Sequence, residues 1–92
     1  MIASFKDKDS EALAAGEPVP RLWPIAAQAR RKLSQMQIAV QVSALAIPKG
    51  NRLEKLHGDR EGQWSIRINN KWRICFEWHG DSAYNVEIVD YH

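Results

Sequence analysis

Gln63-Trp64-Ser65-Ile66-Arg67-Ile68 and, three residues on, Trp72-Arg73-Ile74-Cys75-Phe76-Glu77-Trp78 both alternate polar with apolar side chains. Successive side chains of a strand point to opposite faces, so this alternation predicts two half-buried β-strands. If Trp64, Ile66 and Ile68 face a core, Trp72, Ile74, Phe76 and Trp78 face the same core across a hairpin folded at Asn69-Asn70-Lys71. That hairpin sets Arg67 opposite or nearly opposite Arg73 on the outer face. Like charges facing each other across a sheet are destabilising. A sequence that keeps such a pair points to an anion held between them, and the functional reading starts there.

Around this hairpin the remaining elements fall into place. Residues 2–5 read as a short edge strand. Asp9-Ser10 is placed to cap a helix over residues 11–15, with Gly16 to end it. Glu17-Pro18-Val19-Pro20 is a connector. A second helix is expected from Pro24, because proline is accepted in a first turn. Its apolar stripe is Ile25, Ala29, Leu33, Met36 and Val40, spaced by four, four, three and four. Arg30, Arg31 and Lys32 lie mostly off that stripe, as a solvated face or a contact surface. Residues 42–47 suggest a helical turn, 48–51 a loop, and 52–57 a strand. Gly58-Asp59-Arg60-Glu61-Gly62 is a turn, as is residues 79–82, and residues 83–92 form the last strand. With Tyr84, Val86 and Ile88 inward, Asn85, Glu87, Val89 and Tyr91 share the face of Arg67 and Arg73. Helices followed by consecutive antiparallel strands predict an α+β fold, a small antiparallel sheet with two to three helices packed on one side, as one domain over residues 1–92.

Composition narrows the function classes. An apolar fraction of 45% with four tryptophans indicates a packed globule. Cys75 is the single cysteine, which excludes a disulfide framework and a cysteine-based metal site, and nothing around it would lower its pKa. No apolar run suits a signal peptide or a membrane span, so a cytoplasmic setting without membrane contact is expected. The formal charge of +2 conceals a division: residues 1–29 carry net −1, residues 30–73 net +7, and residues 74–92 net −4. A basic centre of that density suits a polyanion such as RNA, or else a well-solvated surface.

Several stretches together resemble a known family: Gly50-Asn51-Arg52-Leu53-Glu54-Lys55-Leu56, then Gly58-Asp59-Arg60-Glu61-Gly62-Gln63-Trp64-Ser65-Ile66-Arg67-Ile68-Asn69, then Trp72-Arg73-Ile74-Cys75-Phe76, and the terminal Val86-Glu87-Ile88-Val89-Asp90-Tyr91-His92. In order and spacing they are similar to the HigB toxins of the RelE/ParE superfamily, the plasmid-maintenance killer proteins. The resemblance implies a RelE-like fold and a ribosome-dependent endonuclease that cuts mRNA during translation. It also implies a helix-turn-helix, HigA-like antitoxin as partner, with operator DNA bound only through that antitoxin. Within the same superfamily a gyrase-binding inhibitor, or an inactive module that binds only its antitoxin, is the alternative.

RNA is cut without a metal or other cofactor when its 2′-hydroxyl attacks the neighbouring phosphorus, given a base, cations for the phosphate and a proton for the leaving oxygen. The chain has no carboxylates and histidines clustered at metal-ligand spacing, which favours that route. Arg73 is the expected phosphate clamp, because its planar fork holds two oxygens at once, with an ion pair to Glu87 or Glu77 as the structural alternative. Arg67 is the second donor, and Arg60, Lys55 and Lys71 complete the RNA-binding set, with Arg60 also suited to holding its turn. Tyr91 is suited to stacking on a base or donating a proton. His92, beside the chain's own carboxylate, is suited to general acid. His57 stands where some relatives have lysine; a histidine titrates nearer neutrality and suits a base, a role that Lys55 or Glu54 could share. Trp23 is read as core or as an anchor for the antitoxin.

Overall fold

The computed structural model describes residues 1–90; Tyr91 and His92 lie outside them. Helix α1 spans Lys8–Ala14 and α2 spans Ala26–Ile38, with a 3-10 turn over Pro20–Ile25 leading into α2. Four strands follow, β1 (Glu54–Lys55), β2 (Trp64–Arg67), β3 (Trp72–His79) and β4 (Ser82–Asp90). They form an antiparallel sheet in the order β1-β2-β3-β4. The expected α+β architecture is therefore present. The inner face of the sheet, from Ile66, Ile68, Ile74, Phe76, Ala83, Val86 and Ile88, packs against Leu13 of α1, Leu22 and Ile25 of the turn, and Ala29, Leu33 and Met36 of α2. Burying each large apolar side chain contributes about 1.5–3 kcal/mol, and this layer holds the sheet rigid from one side only. The other face remains open for function.

The N-terminus pairs with the edge of β4 through two isolated parallel bridges, Ile2 to Ala83 and Phe5 to Val86, in place of a regular strand. A bulge causes the interruption. Cys75 lies opposite Glu87 but Glu77 lies opposite Tyr84, so one residue of β3 faces two of β4. Asn85 absorbs the extra residue in the left-handed region at φ 53, a conformation that asparagine tolerates better than most, and Ser4 Oγ accepts its N–H at 2.9 Å. The bulge reverses the alternation at Tyr84, which is exposed rather than inward as its spacing predicts.

Local chemistry also moved three boundaries. Asp7, not Asp9-Ser10, caps α1, its carboxylate accepting the N–H of Ser10; Ser10 is buried and its hydroxyl accepts the N–H of Ile88. The α-helix starts at Ala26 rather than Pro24, because the segment from Pro20, with prolines at both 20 and 24, winds as a tighter 3-10 turn. At its other end α2 stops at Ile38, so Val40 leaves the stripe and is 60% exposed, while Ala39 enters the core in its place. Only Glu54–Lys55 of the expected strand at residues 52–57 pairs with β2, because Arg52 turns the chain through a left-handed conformation.

That turn is fixed from beneath by Asn51, which is fully buried. Its amide donates to Leu45 O and Gln35 Oε1 at 3.0 Å and to Ile47 O at 3.3 Å, and its oxygen accepts from Lys32 Nζ. Asn51→Leu would orphan the buried carbonyl of Leu45 and remove the acceptor of Lys32, an unmet buried hydrogen bond costing about 1–3 kcal/mol. We expect it to lower stability by at least ~2 kcal/mol in urea unfolding and to reduce the ordering of Arg52 beside it.

Candidate anion site on the outer face

The hairpin places Arg67 directly opposite Arg73, with Ser65 opposite Cys75 in the next row. Arg73 is the more constrained of the two. Its Nε donates to Ser65 Oγ at 2.9 Å, and its Nη2 donates to the carbonyl of Arg52 at 2.8 Å and pairs with Glu54 Oε1 at 2.9 Å. Only 11% of its side chain is exposed. Arg67 is half-buried and donates to Asn70 Oδ1 in the hairpin turn. Asn69 shapes that turn, its side-chain oxygen accepting the N–H of Lys71 at 2.8 Å and of Trp72 at 2.9 Å.

Arg52, Arg67, Asn69, Asn70 and Arg73 together line an open concavity of about 460 Å³. Three guanidinium-bearing residues and two amides offer many N–H donors and few acceptors, a lining suited to a phosphate or another anion. Arg52 reaches it from a strained backbone, at φ 45. For a side chain as large as arginine this conformation costs about 1–2 kcal/mol. Sequence reading missed Arg52 as a site residue. The signal was present in the Pro48-Lys49-Gly50 bend before it, but the left-handed turn that swings Arg52 toward Arg73 depends on the buried amide of Asn51.

The other expected site residues spread around this centre. Arg60 donates to Gln63 Oε1 at 3.0 Å and pairs with Glu87 Oε1 at 3.1 Å, tying the turn at Gly58–Arg60 to β4. It holds the turn, and it takes Glu87, one of the partners considered for Arg73 in the structural alternative; Arg73 itself pairs with Glu54. Lys55 Nζ lies 5.5 Å over the Trp64 ring, and Lys71 Nζ is 3.6 Å from Asp90 Oδ2. His57 is 80% exposed and, among the described residues, contacts Glu61 Oε2 at 3.9 Å rather than the arginine pair. Cys75 is buried at the floor of this face; burial pushes its thiol pKa up, and the nearby Arg60 and Arg73 only partly oppose that. A thiol in that setting is filler rather than nucleophile. Trp23, 77% exposed in the turn before α2, is not core. Among the described residues no helix is long and apolar enough to cross a membrane, and no three or more His, Cys, Asp or Glu side chains are grouped to hold a metal ion.

If the opposed arginines are kept for an anion, removing one should relieve repulsion worth about 0.2–1 kcal/mol. Arg67→Gln is expected to melt at the same temperature as the parent or higher, and Arg52→Gly likewise, since glycine adopts the left-handed turn freely. Both variants should bind single-stranded RNA more weakly, with the log–log salt slope shallower by roughly 0.7 per cation removed. A fall in stability with unchanged RNA affinity would assign these arginines to structure alone.

Similarity to known proteins agrees with this arrangement. A family model described as the RelE-like toxin of type II toxin–antitoxin system HigB matches residues 19–92. The chain is 38% identical over 87 residues to Toxin HigB-1 of Vibrio cholerae serotype O1, covering 92% of each chain. It is 33% identical over 100 residues to Endoribonuclease HigB of Proteus vulgaris, covering both chains fully. Among solved structures, the YoeB-YefM toxin–antitoxin complex from Staphylococcus aureus contains a chain that superposes with TM-score 0.58 over all of this chain and 98% of that one, at 13% identity, a likeness of fold. A sheet bearing an arginine-lined outer face, helices on its other side and a full-length match to these toxins lead to one assignment: the chain belongs to the HigB-like toxins, the RelE-like toxins of type II toxin–antitoxin systems.

Proposed function

We propose that this toxin is an endoribonuclease that cuts mRNA on the translating ribosome, by attack of a 2′-hydroxyl on the adjacent phosphorus. Membership of the HigB-like toxins supports the reading, as does full-length similarity to a relative named as an endoribonuclease. The single observation that carries it on this chain is the convergence of Arg52, Arg67 and Arg73 on one concavity. Charge gathers on the phosphate oxygens as the 2′-oxygen bonds to phosphorus. Fixed guanidinium groups stabilise that charge without reorganising, and loss of one such donor typically costs about 10²–10³ in rate.

In this reading Arg73, fixed by Ser65 and the Arg52 carbonyl, and Arg67 opposite it hold the scissile phosphate. Lys55 and Lys71, exposed at the flanks, meet the RNA backbone on either side. Arg60 keeps the turn against β4. Tyr91 would stack on a base or position the message, and His92 would protonate the leaving 5′-oxygen. His57, exposed on the turn, is available to a long substrate without meeting the arginine pair. The concavity is open and holds its anion from one side, so the ribosome is expected to supply the remaining alignment of the message. The partner antitoxin is proposed to be a HigA-like helix-turn-helix protein, which would carry the contact with operator DNA.

Purified toxin should cut a message within translating ribosomes, leaving 2′,3′-cyclic phosphate and 5′-hydroxyl ends, and leave the same naked RNA intact. Equal cutting of both would refute ribosome dependence, and arrested supercoiling without RNA breaks would replace the nuclease with a gyrase inhibitor. Arg73→Ala should abolish growth arrest while still binding antitoxin.

A further inference from the structure

The geometry points to Ser65 as a positioning residue of this site, whose hydroxyl aims the guanidinium of Arg73 at the scissile phosphate. The inference rests on the ribonuclease reading above and adds to it the residue that sets the angle of the clamp.

Ser65 faces the outer side of the sheet, in a row between Glu54 on β1 and Cys75 on β3. A serine on the open face of a sheet is ordinarily in water, yet Ser65 is fully buried. Arg73 accounts for the difference. It starts on β3, and its Nη2 ends against Glu54 Oε1 on β1 and the carbonyl of Arg52 just before that strand. Two strand spacings, about 10 Å, separate β3 from β1. The side chain therefore lies along the sheet instead of standing off it, and its path crosses β2 at Ser65. There Ser65 Oγ accepts the Nε–H of Arg73 at 2.9 Å.

Two properties of serine matter at this position. Its small side chain, beside the likewise buried Cys75, leaves a shallow floor on which the flat guanidinium rests. The bulkier valine or isoleucine that strands favour would lift it. Its oxygen also supplies the acceptor for Nε. A planar group held at Nη2 alone can swing about that point, whereas one held at Nε as well keeps a single orientation. Among the described residues the anchor of Nε is Ser65. Orientation matters because a donor stabilises the transition state only if it is already directed where charge gathers. A misplacement of about 1 Å can cost roughly 10²-fold in rate. Ser65 has no exposed surface with which to touch RNA, so it acts through Arg73.

The test is single-turnover cleavage of a message on stalled ribosomes, comparing the parent with S65A, S65T, R73K and the double variant S65A/R73K. At saturating toxin S65A should cut about 10–10²-fold more slowly, with the half-saturating toxin concentration unchanged. S65T keeps the hydroxyl and should recover most of the rate. Lysine keeps the charge but has no Nε–H for Ser65 to accept, so adding S65A should slow R73K by less than about threefold. A serine needed only for folding would cost as much in either background. The second readout is the Nε–H resonance of Arg73 by NMR, which should shift and exchange faster with water in S65A. That resonance decides the case if S65T does not fold or R73K makes no measurable cut. Ser65 loses this role if S65A cuts within threefold of the parent, or if its penalty is undiminished in R73K. It also loses the role if the defect appears wholly as weaker ribosome binding, or if the Nε–H signal is unmoved. A parent that makes no cut on ribosomes overturns the ribonuclease reading instead, and the Arg73 resonance then still reports whether Ser65 orients the guanidinium.

Discussion

Everything on the outer face depends on how Arg73 is held. Among the described residues its guanidinium joins Ser65 on β2, the carbonyl of Arg52 in the turn before β1, and Glu54 on β1 itself. A charge that is only 11% exposed would be costly alone. Among the described residues three acceptors compensate it, and charge-assisted hydrogen bonds contribute about 1.5–3 kcal/mol each in such settings. The two-residue strand β1 has little backbone pairing of its own, so this side-chain network does much of the work of holding it to the sheet. Structure and proposed chemistry thus share the same bonds.

The arginines divide the labour according to exposure. Arg73 is rigid and mostly covered, which suits a group that must not reorganise when charge develops. Arg67 is more open and rests on Asn70 in a hairpin turn, and Arg52 is exposed on a strained turn. These two can adjust to an incoming backbone while Arg73 sets the reference position. The strain at Arg52 is offset elsewhere, by the buried hydrogen bonds of Asn51. Strain stored beside a ligand site and supported from the core is a recurrent feature of sites that bind by preorganisation.

Period-two alternation was enough to read β2 and β3, their register and the opposed arginines, because one face of each strand is covered by core and the other is not. The α+β class followed from element order. What alternation could not show was the bulge at Asn85, since a single left-handed residue leaves composition unchanged and yet turns Tyr84 from inner to outer face. Val40 was misread for a related reason: the stripe continues in sequence past the point where Ala39 becomes extended and the helix has ended. At the site, Arg67 and Arg73 were legible because they are paired across a short hairpin. Arg52 and the Arg73–Glu54 ion pair were not, because they join residues nineteen or more positions apart through a turn whose shape is set by a buried asparagine. Tyr91 and His92 lie beyond the described residues, so their roles stand as proposals.

The bulge and the arginine centre are parts of one solution to the edges of a four-stranded sheet. An exposed edge strand invites pairing with other chains. On the β4 side, the N-terminal segment covers the edge with two bridges, and Ser4 Oγ and Ser10 Oγ accept the N–H groups of Asn85 and Ile88. On the β1 side, the edge is kept to two residues, both charged, and one of them is drawn onto Arg73. A glutamate at an edge strand is ordinary protection against aggregation, and its pairing with a mostly covered arginine is ordinary compensation of charge. The same carboxylate stays half in water while it is paired with Arg73. Protection of the edge and compensation of the charge on Arg73 are met by one side chain.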